Sequence, residues 1–72
     1  MKEIKWLIVG TEDKEMMFYN YEYDFFSKSF LNSDYFKKEE TAEGILEEID
    51  KSQHPSIKNM RVIKTEIELK VL

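Results

Sequence analysis

Side chains that could perform catalysis are few and scattered in this sequence. His54 is the only histidine, and it stands in a polar stretch beside Pro55. A histidine acts as a general base only when a partner orients it next to a substrate pocket, so we interpret His54 as a solvated loop residue. The chain has no cysteine, its serines follow no nucleophile-elbow pattern, and its two glycines form no phosphate-binding loop. We therefore expect no enzymatic activity and no cofactor.

The acidic residues of "TEDKE" are candidates for metal binding. Glu12, Asp13 and Glu15 do not follow the alternate spacing around a central glycine that a calcium loop requires. Without cysteine, a thiolate zinc site is also excluded. We interpret these acids as solvated turn charges and expect no metal ion.

The residues best suited to binding lie in the run "FYNYEYDFF", which has six aromatic side chains in nine positions. If this run is a strand, Tyr19, Tyr21 and Tyr23 project from one face. Under a helix they would be core, with hydroxyls bonded at its margin; on an open face they would resemble a protein-binding hot spot. Nucleic-acid stacking needs a basic groove beside the rings, whereas the neighbours here are mainly acidic.

The segment "KKEETAEGILEEIDK" supplies a second candidate surface. It predicts a helix whose buried face comprises Ala42, Ile45, Leu46 and Ile49, at the i, i+3, i+4, i+7 spacing. Its outward face, centred on Gly44, is lined or flanked by Glu40, Glu43, Glu47 and Glu48. This face is either ordinary solvated helix surface or an acidic surface that competes for a basic groove, as nucleic-acid-mimicking inhibitors do. At Gly44 the missing side chain would let a partner approach closely.

The elements that position these residues are predicted in the order β-β-(β)-α-β. The strands are "KEIKWLIVGTE", with a turn region starting at Gly10, then 16–23, a short strand near 25–31 and a long strand over 60–71. A turn is expected at 32–34, and Pro55 disfavours helix beyond His54. We predict the α+β class, with a small antiparallel sheet of three to four strands and one helix packed on one face.

Details of the helix and of the last strand are also predicted. Lys38 is the expected N-cap although it has no capping oxygen, Lys51 is expected in the last turn, and Phe36 is expected to tuck under the helix. In the last strand, Ile63 and Ile67 share a face with Arg61, Thr65, Leu69 and Val71, and the opposite face is mostly charged. At a sheet edge this strand could pair with another strand.

Composition sets limits on the function. The 72 residues carry a net charge of −4, which argues against nucleic-acid binding because phosphate neutralisation supplies most of that affinity. We expect residues 1–72 to form a single domain. The longest apolar run is too short for a membrane span, so we expect no membrane association, and the lack of cysteine favours the cytoplasm.

One part of the chain resembles a known pattern. The run "SDYFKKEETAEGILEEI" followed by "MRVIKTEIEL" is similar to small uncharacterised proteins of phages and prophages, in which a hairpin precedes a Phe–spacer–Glu-Glu-x-Ala helix and one more strand. The residues that match are Phe36, Glu39, Glu40, Ala42, Ile45 and Leu46. A Ser or Thr cap is frequent in that pattern, and Lys38 departs from it. The resemblance implies a phage-type α+β module and assigns no functional residue.

The leading hypothesis is a small acidic protein-interaction module, a phage-encoded inhibitor or modulator of a host protein such as a nucleic-acid-handling defence enzyme. Its expected contact residues are Tyr19, Tyr21, Tyr23, Glu40, Glu43, Gly44, Glu47 and Glu48. Two alternatives stay open. One is a nucleic-acid-binding module that uses the tyrosines and the basic C-terminal third, and the other is a homo-oligomer formed through an edge strand.

Overall fold

The computed structural model describes residues 2–68, and within them it confirms the predicted α+β class. Four antiparallel strands form one sheet in the order β3-β2-β1-β4. The strands are β1 (Lys2–Glu12), β2 (Glu15–Asn20), β3 (Phe25–Ser27) and β4 (Lys58–Glu68), and the helix is α1 (Glu39–Glu48). Two short 3₁₀ turns, Phe30–Asn32 and Lys51–Gln53, flank α1 in the sequence.

The first hairpin is tighter than predicted. β1 continues through Glu12, and the turn consists of Asp13 and Lys14 alone, with φ angles of 50° and 68°. Two positive φ angles give the turn the twist that matches the flanking strands. Gly10, the predicted start of the turn, lies inside β1, where a Cβ atom would come 2.3 Å from Cγ2 of Ile57. A side chain at this position would therefore displace the loop that precedes β4.

β2 ends at Asn20, so the prediction of a strand through Tyr23 is wrong. The Asn20 side chain accepts a hydrogen bond from the Tyr23 backbone N–H at 2.9 Å, and the carboxylate of Asp34 accepts one from the Tyr21 N–H. Side chains of this kind mimic backbone turns. They satisfy the amides that would otherwise extend the strand, and the chain reverses at Asp24, whose φ is 51°.

The segment from residue 33 to 36 lies between β1 and β2 beyond the part where these two strands pair. The predicted strand near 25–31 is only three residues long, and the predicted turn at 32–34 is replaced by the 3₁₀ turn and an extended segment. The N–H of Asp34 donates to the carbonyl of Tyr19 at 3.2 Å, and Phe36 exchanges two backbone hydrogen bonds with Trp6. This bridge brings the chain to the face of the sheet where α1 packs.

The core lies between α1 and that face of the sheet. Its buried members are Ile8, Tyr19, Ala42 and Ile49, and partly buried side chains surround them: Trp6, Phe26, Phe36, Ile45, Leu46, Met60 and Val62. The predicted apolar face of the helix is thus confirmed, as is the position of Phe36. Lys38 is the N-cap and makes no side-chain capping bond, as predicted. Lys51, however, lies in the second 3₁₀ turn, because α1 already ends at Glu48.

The alternation along β4 is confirmed, but the face that packs under the helix is the one predicted to be mostly charged. Met60 and Val62 contact the helix core. Ile63 and Ile67 lie on the opposite side, which we call the far face of the sheet, together with the buried Leu7 and Val9 of β1. Positions 69–71 of the predicted strand lie outside the described residues.

Candidate functional site

Tyr19 belongs to the core and is 4% exposed. Its ring packs against Phe26 with the centroids 4.9 Å apart, and its hydroxyl donates to Oδ1 of Asp24 at 2.6 Å. Burial, reinforced by this hydrogen bond to a carboxylate, holds the pKa of Tyr19 well above its usual range. The prediction that three tyrosines share one strand face is wrong, because β2 ends before Tyr21.

His54 lies in a loop, as interpreted, but the interpretation that it is solvated is wrong. Its side chain is 11% exposed, and Nε2 lies 3.0 Å from Oδ1 of Asp24. The imidazole packs edge-on against Tyr19 and Phe26, with centroids 6.3 and 5.2 Å apart. Hydrogen bonds from Tyr19 and then His54 lower the pKa of Asp24. Asp24 therefore ties the turn after β2 to the loop that follows α1.

Beside this contact a cavity of about 240 Å³ opens between the turn after β2 and the C-terminal end of α1. Its lining is formed by Tyr19, Tyr21, Asp24, Ile45, Glu48, Ile49 and Asp50. Tyr19, Ile45 and Ile49 are buried or half-buried and provide an apolar floor. Exposed carboxylates stand around that floor, and we call this site the acidic cavity.

Two tyrosines of the predicted binding surface are exposed at or near the acidic cavity. Tyr21 is 53% exposed and Tyr23 is 70% exposed, and both lie in the turn between β2 and β3. The Tyr21 ring also packs edge-on against Phe36 at 6.5 Å. Tyr21 and Glu48, which the sequence assigned to separate surfaces, line the cavity together, whereas Tyr23 does not line it.

Helix α1 carries five glutamates and no basic residue in its last turn. Glu47 and Glu48 lie at the C-terminal end, where the helix dipole is negative and a carboxylate costs about 0.3–1 kcal/mol. Asp50 adds another carboxylate, which Ser52 fixes by donating from its backbone N–H at 3.0 Å and its hydroxyl at 2.6 Å. These bonds lower the pKa of Asp50, and the nearby charge of Asp24 opposes that effect.

No cation within residues 2–68 forms an ion pair with the glutamates of the helix. The ion pairs in the described part of the chain involve none of the α1 glutamates. Nor does it contain a group of three or more His, Cys, Asp or Glu side chains that could hold a metal ion. The end of the helix is therefore a negative site without a close ion pair in this part of the chain, next to the apolar floor of the acidic cavity.

The remaining predicted contact residues lie together on the outer side of α1. A shallow depression there is lined by Glu39, Glu40, Glu43, Gly44 and Glu47. Gly44 is exposed and points away from the core, as predicted, and a Cβ atom at this position would have no neighbour within 4 Å. Only Glu48 of the predicted acidic set reaches the acidic cavity.

The sequence did not identify Asp24, Ile45, Ile49 or Asp50 as lining one site, because two stretches far apart in the chain, the turn after β2 and residues 45–50, contribute them. Two of the acidic residues of "TEDKE", Asp13 and Glu15, are exposed to solvent, as interpreted from the sequence. Glu15 also forms an ion pair with Lys28 at 2.7 Å.

Comparison of the chain with protein-family models, with curated proteins and with solved structures found no match. Within the described residues, α1 and the 3₁₀ turns are all too short and too polar to span a membrane. Function is therefore inferred from the geometry and electrostatics of the site.

Proposed function

We propose that this chain is a protein-interaction module that binds a basic segment of another protein, with one arginine or lysine side chain inserted into the acidic cavity. The observation that carries the proposal is the pairing of an apolar floor with exposed carboxylates of Glu48 and Asp50 at the negative end of α1. A local conflict of this kind, with like charges gathered at an unfavourable helix end, is typical of functional sites.

The chemistry of the cavity matches a long cationic side chain. Lysine and arginine bury a hydrocarbon stem while the charged head stays near water or a carboxylate. Ile45 and Ile49 offer a surface for the stem, and Glu48 and Asp50 offer acceptors for the head. Arginine fits better than lysine, because its planar guanidinium can bond two carboxylates and stack on the Tyr21 ring.

The outer side of α1 extends the acidic surface. Glu40, Glu43 and Glu47 would attract further basic residues of the same segment and accelerate its association. Gly44 lets the partner's backbone approach the helix, since no neighbouring atom occupies the space a side chain would take. Tyr23 supplies an exposed ring near the cavity.

A finer proposal concerns the partner. Proteins that handle nucleic acids present basic grooves, and an acidic helix could occupy such a groove in place of phosphate. Together with the resemblance to small phage proteins, this supports a phage-encoded inhibitor or modulator of a host defence protein, acting in the cytoplasm.

The proposal is tested with a fluorescein-labelled peptide in which arginines alternate with serines, and with a matched peptide in which citrulline replaces arginine. Citrulline keeps the shape of arginine without its charge. We expect the arginine peptide to bind, the citrulline peptide to bind at least about tenfold more weakly, and affinity to fall between about 50 mM and about 200 mM salt. Fluorescence anisotropy measures all three affinities.

Two double variants each remove two negative charges, one at the acidic cavity and the other in the first hairpin. Replacing Glu48→Gln together with Asp50→Asn should weaken binding about tenfold, whereas Glu12→Gln with Asp13→Asn, in the first hairpin, should have little effect. Asn at position 50 still offers an oxygen to Ser52, and Asn at position 13 tolerates the positive φ there. Equal losses in the two double variants would mean that only net charge matters, and the proposal would be wrong.

A further inference from the structure

β4 forms a long edge of the sheet. It spans eleven residues, Lys58–Glu68, and the strand order places it next to β1 on one side only. Within residues 2–68 no other strand pairs with its outer side. The opposite edge, β3, has only three residues. A long edge with unpaired backbone groups is the part of a sheet that another strand can extend.

The centre of this edge is complementary to itself. The residues Ile63-Lys64-Thr65-Glu66-Ile67 read as apolar, basic, neutral, acidic and apolar. In an antiparallel pair of two identical strands with the twofold axis at Thr65, each Lys64 stands opposite Glu66 of the second copy. Each Ile63 then stands opposite Ile67 of the second copy, and the two Thr65 residues face each other. All three kinds of cross-strand pair are favourable.

Neighbouring registers lose this match. Centring the pair on Lys64 places two lysines directly opposite each other, and centring it on Glu66 does the same with two glutamates. Centring it on Ile63 leaves Lys64 opposite Val62. Like charges directly opposite are destabilising, so charge complementarity selects Thr65 as the centre.

The surroundings of these side chains are compatible with pairing. Lys64 and Glu66 are exposed, and Ile63, Thr65 and Ile67 are only half-buried, so a second strand would cover apolar surface of β4 on the far face of the sheet. The contact to be rearranged is a surface ion pair between Lys2 and Glu66 at 4.0 Å, and pairs of this kind add little to stability. None of the cavity's lining residues belongs to β4.

We infer that two copies of this chain associate through antiparallel pairing of β4 about a twofold axis at Thr65, so that their sheets become continuous. A chain this small gains stability from such an arrangement, because one small core supplies limited stability by itself.

Thr65→Cys tests the register directly, because the chain has no other cysteine. In the proposed dimer the two Cα atoms at position 65 lie about 4.5–5.5 Å apart, within the range of a disulfide. Ile67→Cys is the matched control on the same face of the same strand, and its two Cα atoms would be about 14 Å apart. Under mild oxidation we expect Thr65→Cys to form covalent dimers at least about tenfold faster than Ile67→Cys. Equal rates would overturn the inference.

Reversing the charges of Lys64 and Glu66 gives a second test, and a folding defect could not produce the result expected of the double variant. In sedimentation equilibrium the unmodified chain should dimerise, and Lys64→Glu or Glu66→Lys alone should weaken the dimer at least about tenfold, since each places like charges opposite each other. The double variant Lys64→Glu with Glu66→Lys restores complementarity and should dimerise about as well as the unmodified chain. A monomer at millimolar concentration, or a double variant no better than either single one, would overturn the inference.

Discussion

At the scale of single residues, Asp24 links two loops through its contacts with Tyr19 and His54. Its carboxylate accepts from the buried Tyr19 hydroxyl at 2.6 Å and lies 3.0 Å from the imidazole. These contacts join the turn after β2 to the loop after α1, and both segments border the acidic cavity. The cavity therefore depends on Asp24 even though its side chain is 56% exposed.

Asp24→Asn is expected to make stability less sensitive to acid. The pKa of Asp24 is lowered in the folded state, so its carboxylate contributes stability that is present above the unfolded-state pKa of about 3.9. That stability is lost as the pH falls through the lower folded-state value. Urea unfolding between pH 7 and pH 3 should show a smaller loss for Asp24→Asn than for the unmodified chain. At pH 7 the variant should be less stable by about 1 kcal/mol, since weaker hydrogen bonds remain.

The control for this prediction is Asp13→Asn. Asp13 has a φ of 50°, almost the same as the 51° of Asp24, so both substitutions meet the same backbone requirement. Asp13 hydrogen-bonds to neither Tyr19 nor His54. If Asp24→Asn and Asp13→Asn showed the same pH dependence, the role assigned to Asp24 would be refuted.

Residue roles of this kind are only partly readable from the sequence. The need of a buried tyrosine for a polar partner was foreseen, but the role of His54 was missed because Asp24 lies thirty residues away from it along the chain. The polar neighbours of His54 indicated solvent, and only tertiary packing against Tyr19 and Phe26 shows otherwise.

At the scale of elements, the spacing of apolar residues predicted the regular patterns within the helix and the strands. It did not predict the end of a strand where side-chain hydrogen bonds cause that end. The apolar face of α1 and the alternation of β4 were predicted from spacing alone. The end of β2 was not, because it depends on Asn20 and Asp34 capturing backbone amides in the turn. Likewise, spacing along β4 could not tell which of its faces would pack under the helix.

Substitution of Gly44 tests whether this position is an exposed site within helix α1. Because a Cβ atom there would have no neighbour within 4 Å, Gly44→Ala should remove only the low helix propensity of glycine. We expect stability to rise by about 0.5–1 kcal/mol with an unchanged m-value in urea unfolding. A loss of stability would show that position 44 is not an exposed helical site.

At the scale of the whole molecule, the acidic cavity combines surfaces that the sequence treated separately. The fold class follows from the sequence because strand and helix patterns are local. The cavity does not, since its lining comes from the turn after β2, the end of α1 and the residues just beyond it. Only the folded chain brings Tyr21 next to Glu48 and Asp50.

The central claim is that this cavity receives a cationic side chain, and chemical-shift mapping by NMR tests it most directly. The ¹⁵N-labelled protein is titrated with the arginine–serine peptide and, separately, with its citrulline equivalent. We predict that the largest shifts fall on Tyr21, Ile45, Glu48 and Asp50, and that the citrulline peptide produces far smaller ones. Shifts confined to the outer side of α1 around Glu40 and Glu43, or equal shifts with both peptides, would contradict the claim.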